Sequence, residues 1–111
     1  MFLEIANQYL NKNLSGRYIT NSHIEPELES LKNHYKISIE GKSVLDKNIY
    51  SVQIGTGKTK VLIWPQMHGN ETTTTKGLFD FFNFLNSNDD LALNIKENYT
   101  LLCIPVLNPD G

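Results

Sequence analysis

One cysteine in 111 residues excludes an intramolecular disulfide. Cys103 stands in the apolar stretch "LLCIPVL", which predicts a buried thiol and fits a reducing compartment, so a cytoplasmic location is expected. Long hydrophobic runs are also missing. No stretch approaches the roughly 18–20 apolar residues of a membrane span. The opening "MFLEIANQYLNKN" has neither the basic leader nor the apolar length of a signal peptide. Charge of one sign is scarce. The formal net charge is −2 with acidic and basic residues interleaved, which argues against nucleic acid or an anionic membrane as partner. Nothing in the sequence speaks to oligomeric state. No internal repeat is present, and the only biased segment is the four-threonine run Thr72–Thr75.

What is present suits one domain. Hydrophobic residues make up 40% of the chain and aromatics 10%, enough for a modest core and too much for a disordered chain. Phe2, Ile5, Ala6, Tyr9 and Leu10 share one helical face, predicting a first helix over 2–11. Ser22-His23-Ile24-Glu25 fits a capping box with Pro26 in the first turn, and Ile24, Leu28 and Leu31 give the second helix its apolar face. Tyr35, Ile37 and Ile39 then alternate with polar residues, as do Tyr50, Val52 and Ile54, predicting two half-buried strands. "VLIW" at 61–64 is continuously apolar and reads as a strand buried on both faces.

A wide stripe of Leu78, Phe79, Phe81, Phe82 and Leu85 predicts a helix over about 72–86. "YTLLCIPVL" predicts a strand over about 99–107. The second half is therefore a strand–helix–strand unit, which pairs in parallel. The fold class is α/β, with a partial, mixed and mostly parallel sheet flanked by helices.

"PQMHGNETTTTKG" at 65–77 stands where the central strand feeds the long helix. Open α/β sheets place ligands at such carboxyl ends of strands. His68 and Glu71 are three residues apart, close enough on a helical turn to face the same way. Imidazole nitrogen and carboxylate oxygen both bind zinc at about 2.0–2.2 Å. The free N–H groups of the helix start favour an ionised Glu71, and Gly69 would let the backbone turn sharply between the two. From spacing alone, a loop histidine beside an ordinary first-turn carboxylate is the commoner reading, since His-x-x-Glu is short and frequent. Two ligands also fall short of the three that a catalytic zinc usually has. His23 and His34 read as cap or surface residues. "GTGKT" at 55–59 lacks the first glycine of a phosphate-binding loop and reads as a hairpin turn. The Thr72–Thr75 hydroxyls read as partners of free helix N–H groups.

His68-Gly69-Asn70-Glu71 is followed 40 residues later by Asn108-Pro109-Asp110-Gly111. This pair resembles the zinc carboxypeptidase family, the funnelins. "IEGKSVLDKNIYSVQIG" at 39–55 also looks like that family's hairpin before the motif, a Gly-x-Ser-x-x-x-Arg-x-Ile pattern in which Lys47 or Asn48 here stands near the arginine. The resemblance covers roughly residues 20–111. It implies that His68 and Glu71 are the first two zinc ligands, and that Asn108, Pro109, Asp110 and Gly111 form a turn shaping the active-site side of the sheet. It further implies an incomplete α/β/α sandwich in which 1–111 is the amino-terminal portion of one catalytic domain. The third ligand, substrate arginines and general base of the family lie downstream of Gly111, so no catalytic residue falls within the chain. The implied activity is removal of a carboxy-terminal residue from a peptide, with zinc as cofactor. "HGNE" is similar as well to the start of the succinylglutamate desuccinylase and aspartoacylase group, zinc deacylases of small amides. A non-catalytic binding module is the third reading.

Overall fold

The computed structural model describes Glu4 and residues 7–111. Of the expected first helix, Phe2, Ile5 and Ala6 lie outside the described residues, while Tyr9 packs edge-on against the Phe84 ring, 5.2 Å between centroids. The first complete element, α1 (Asn21–Leu31), buries Ile24, Leu28 and Leu31 as its periodicity requires. Its N-cap is Thr20, two residues ahead of the expected Ser22. His23 serves the cap: the Thr20 N–H donates to its Nδ1 at 2.9 Å. Pro26 consequently falls past the first turn, where it withholds one helical hydrogen bond.

Two antiparallel strands follow, β1 (Lys36–Lys42) and β2 (Asn48–Ile54), with an irregularity between Ile39 and Gly41. Then come β3 (Thr59–Ile63), α2 (Thr73–Leu85), α3 (Asp90–Asn98) and β4 (Tyr99–Cys103). The sheet order is β1-β2-β4-β3, with β4 antiparallel to β2 and parallel to β3. The expected parallel strand–helix–strand unit is thus present and the sheet is mixed. Its parallel share is smaller than expected, one ladder of three, because the early hairpin joins β4 through its antiparallel partner.

That order corrects the reading of residues 55–58. They are not a hairpin turn, since β4 lies between β2 and β3. The chain instead crosses the end of β4 in contact with its backbone. Thr56 N–H donates to Lys96 O at 2.8 Å, Gly57 N–H to Tyr99 O at 3.1 Å, and Thr100 Oγ1 to Gly57 O at 2.7 Å. A Cβ on Gly57 would lie 1.9 Å from the Asn98 carbonyl carbon, so only glycine fits this crossing. Gly55 has φ +90° and is equally crowded by Tyr99 O.

One face of the sheet carries the core. Val52 sits opposite Cys103 and Ile54 opposite Leu101, and all four are buried against Leu28, Leu78, Phe79, Phe82 and Leu85 of the helices. Phe81, expected on the buried stripe, is half-buried and stacks on Phe84. Burial pushes the Cys103 thiol up to about 12, the inert state expected of a core cysteine. The expectation for "VLIW" does not hold. β3 is an edge strand; Leu62 is 50% exposed and Trp64 beyond it 46%, because no strand covers the outer edge and no helix covers the face bearing Leu62 among the described residues.

Helix α3 was not expected. Asp89 caps it, accepting from Leu91 N–H at 2.9 Å, and only Ala92 is fully buried. With Leu91 and Leu93 exposed, its apolar residues form no stripe. The ladder of β4 ends at Cys103, short of Leu107, since Pro105 has no N–H. The extended chain nonetheless stays attached to the end of β3 and the loop after it, through Ile104 N–H to Ile63 O (2.8 Å) and Asn108 N–H to Gln66 O (3.1 Å).

Two glycine substitutions test this packing by urea unfolding. Gly57→Ala should cost about 2–3 kcal/mol by forcing backbone apart. Gly77→Ala, in mid-α2 with nothing within 4 Å of its added Cβ, should stabilise by about 0.5–1 kcal/mol.

Candidate functional site

β3 ends at Ile63 and α2 begins at Thr73, and the nine residues between make an irregular loop. His68 and Glu71 both lie in this loop and not in the helix. They share a tight turn in which Glu71 N–H donates to His68 O at 2.9 Å, so the three-residue spacing still brings them to one side. Glu71 stands one residue ahead of the helix cap, Thr72. Both side chains are exposed and line one open cleft of about 800 Å³, together with Arg17, Trp64, Met67 and Lys76 among others. Among the described residues no third His, Cys, Asp or Glu joins them as a metal-holding cluster. His23 and His34 lie outside the cleft lining, as the sequence reading placed them.

The second motif is built against the first. A Cβ on Gly69 would lie 2.3 Å from Gly111 Cα, and one on Gly111 would lie 2.6 Å from Gly69 Cα. Gly69 is therefore needed for backbone contact; its φ is ordinary, so the sharp turn expected of it is not the reason. Asn108 adds two bonds to the same loop, from its N–H to Gln66 O at 3.1 Å and from Nδ2 to Met67 O at 3.3 Å. Asn108, Pro109, Asp110 and Gly111 thus form a turn fastened to the His68 loop.

The far side of that turn is held by the hairpin between β1 and β2. Ser43 Oγ donates to Asp110 Oδ1 at 2.6 Å, and Leu45 N–H to Oδ2 at 3.0 Å. Of the two candidates for the hairpin cation, Lys47 makes the contact, Nζ to Pro109 O at 3.4 Å. Asn48 faces Tyr50 instead. The Ser43 hydroxyl, with the Leu45 N–H and the Lys47 charge, holds the Asp110 carboxyl below the usual carboxylate range.

Gln66 is the residue that sequence reasoning missed. It has φ +58° yet is not glycine, and it is 5% exposed. Its Nε2 donates to Ile19 O at 2.9 Å and to Gly69 O at 3.0 Å, which fixes the amide orientation because both neighbours are acceptors. Its Oε1 has no partner among the described residues. A left-handed backbone and an unpaired buried acceptor each cost about 1–3 kcal/mol. In return, one side chain ties the chain before α1 to the loop bearing His68. No local sequence signal marks it, since the left-handed conformation is visible only in the fold.

The threonine run has a similar role. Thr72 Oγ1 donates to Arg17 O at 2.7 Å and Thr75 Oγ1 to Pro105 O at 2.8 Å. These hydroxyls do not cap the helix N–H groups, as expected from their position; they staple α2 to its neighbours.

Residues 23–111 match the zinc carboxypeptidase family. The chain belongs to that family. No curated protein matches it in sequence. Among solved structures it is similar to a metallo-carboxypeptidase from Burkholderia cenocepacia, with 20% identity and a TM-score of 0.74 over 85% of this chain and 28% of that one. A Pseudomonas aeruginosa metallo-carboxypeptidase gives 19% identity and 0.66 over 85% of this chain and 27% of that one. Carboxypeptidase A from Helicoverpa armigera gives 19% and 0.64 over 99% of this chain and 32% of that one. At these identities the likeness is one of fold. The chain spans about a third of the length of these structures or less.

Two measurements probe the site's framework. Gln66→Ala and Gln66→Gly both delete the amide, but only alanine keeps a Cβ at positive φ. The alanine variant should be less stable than the glycine variant by about 1 kcal/mol, the reverse of the usual order; equal stability would mean φ is not positive there. Asp110 has a depressed pKa in the folded state, so its stabilisation is fully present above the unfolded value near 3.9 and is lost as pH falls through the folded value. Wild type should therefore melt above Asp110→Asn at neutral pH, and the two curves should converge in acid below about pH 4. A gap that persists to the lowest pH would overturn this account.

Proposed function

We propose that the chain is the amino-terminal, metal-holding portion of a zinc-dependent carboxypeptidase domain, and that His68 and Glu71 are two of its zinc ligands. One observation carries the reading: the two side chains line a single cleft at the end of β3, on a loop whose Gly69 backbone is in contact with Gly111 of the Asn-Pro-Asp-Gly turn. The donor set fits zinc as far as it goes. A neutral imidazole and a carboxylate are the nitrogen and oxygen ligands that catalytic zinc sites combine, with the remaining positions filled by a third residue and water. When bound, zinc lowers the pKa of a coordinated water towards about 7 and polarises the scissile carbonyl.

What this chain contributes is position. The backbone of the His68–Glu71 turn is held by Gln66, Asn108 and Gly111, which fixes where the two side chains leave the chain. Glu71 stands immediately before Thr72, the N-cap of α2, so its place is fixed by the start of that helix. The general base and a third ligand belong to sequence beyond Gly111. The substrate is a peptide with a free carboxyl end, which loses its last residue by amide hydrolysis. The joining of the Asn108–Gly111 turn to the ligand loop favours this branch over the small-amide deacylases.

Zinc titration of the 111-residue chain, its His68→Ala and Glu71→Ala variants and the natural full-length protein tests the reading. The full-length protein should bind one zinc tightly, and each substitution should weaken it by at least 100-fold. The 111-residue chain should bind zinc far more weakly and should not hydrolyse peptides. Tight binding that survives both substitutions would remove His68 and Glu71 from the site.

A further inference from the structure

Residues 14–20, far from the motif in sequence, bring Arg17 into the lining of the cleft. Leu14 and Ile19 are buried anchors, 6% and 3% exposed. Between them the chain turns at Gly16, with φ +87°. Three side chains of the site loop and α2 hold the backbone carbonyls of this turn: Lys76 Nζ donates to Gly16 O at 2.8 Å, Thr72 Oγ1 to Arg17 O at 2.7 Å, and Gln66 Nε2 to Ile19 O at 2.9 Å. Two of the three donors, Gln66 and Thr72, are themselves buried. A surface turn held this way is a built part of the site, and the residue it presents is Arg17.

The charges of the cleft then narrow what Arg17 can do. Its ionic lining consists of Arg17, Lys76 and Glu71, beside His68. Lys76 directs its ammonium to the Gly16 carbonyl. Among the described residues the single ion pair is Lys32 with Glu29, so Arg17 faces the cleft without a carboxylate partner. Its guanidinium carbon lies 5.5 Å from the Tyr18 ring centroid, a contact that orients the group without neutralising it. A planar guanidinium with free donors matches a carboxylate in bidentate fashion. Zinc on His68 and Glu71 would offset the Glu71 charge and leave the cleft net positive.

We infer that Arg17 is a specificity residue that binds an acidic side chain of the peptide substrate. The inference rests on the peptidase reading for its substrate class, while the carboxylate-binding role stands on the cleft alone. The test uses the zinc-loaded full-length protein and peptides carrying Glu or its isostere Gln at one position at a time, counted from the carboxyl end. Wild type should favour Glu over Gln at one position by on the order of 5–10-fold in kcat/KM. Arg17→Gln should bring that ratio to about one, and Arg17→Lys should restore part of it. No Glu preference in wild type, or one that persists in Arg17→Gln, overturns the inference. So does an equal loss for both members of a pair in Arg17→Gln, which would assign the guanidinium to the terminal carboxylate. Should no peptide be hydrolysed, the peptidase reading fails, and the same pairs measured by calorimetric binding decide the inference separately. A Glu preference in binding that Arg17→Gln abolishes sustains it, and its absence ends it.

Discussion

The contact between Gly69 and Gly111 is the constraint from which the rest of the site follows. Two backbones meet there with no room for a single Cβ, 2.3 Å from Cα in one direction and 2.6 Å in the other. A contact that close joins segments 42 residues apart into one body. It places the Asn108–Gly111 turn directly against the histidine-containing loop. The hairpin residues Ser43 and Lys47 extend the body outward, since they hold the same turn from its other side. Three motifs that are separate in sequence are therefore three contacts of one assembly. Its irregular backbone is satisfied partly by side chains and partly by other backbone, as in Asn108 Nδ2 to Met67 O and Asn108 N–H to Gln66 O.

Much of the fold was legible because it rests on periodicity. Ile24, Leu28 and Leu31, and likewise Leu78, Phe82 and Leu85, recur at helical spacing and are buried. Val52 and Ile54 alternate and point into the core. Sheet order was not legible. The glycines at 55 and 57 are the same letters that a hairpin turn uses, and only the presence of β4 between the two strands shows that they serve a crossing. "VLIW" misled for a related reason, since apolar content reports affinity for an interior without saying whether a neighbour supplies one. Helix α3 escaped because Leu91 and Leu93 face outward and blur its pattern, although Asp89 was a fair cap signal.

The candidate site divides the same way. His68 and Glu71 could be singled out as candidates because their chemistry and spacing are local. Gln66 and Arg17 could not. Gln66 matters through a backbone conformation and two bonds to distant carbonyls. Arg17 matters through carbonyls of its own segment that Thr72, Lys76 and Gln66 hold. Main-chain acceptors carry no residue identity, so contacts made to them leave little trace in the sequence.

The sole tryptophan, Trp64, is half exposed on the rim of this cleft, directly after the strand that leads into the loop. An indole so placed is an optical reporter already built into the protein. Its emission senses the polarity of the cleft mouth, whereas the aromatic core beneath α2 is made of phenylalanine and is silent at that excitation. Filling of the cleft can thereby be followed by light alone, with no label attached.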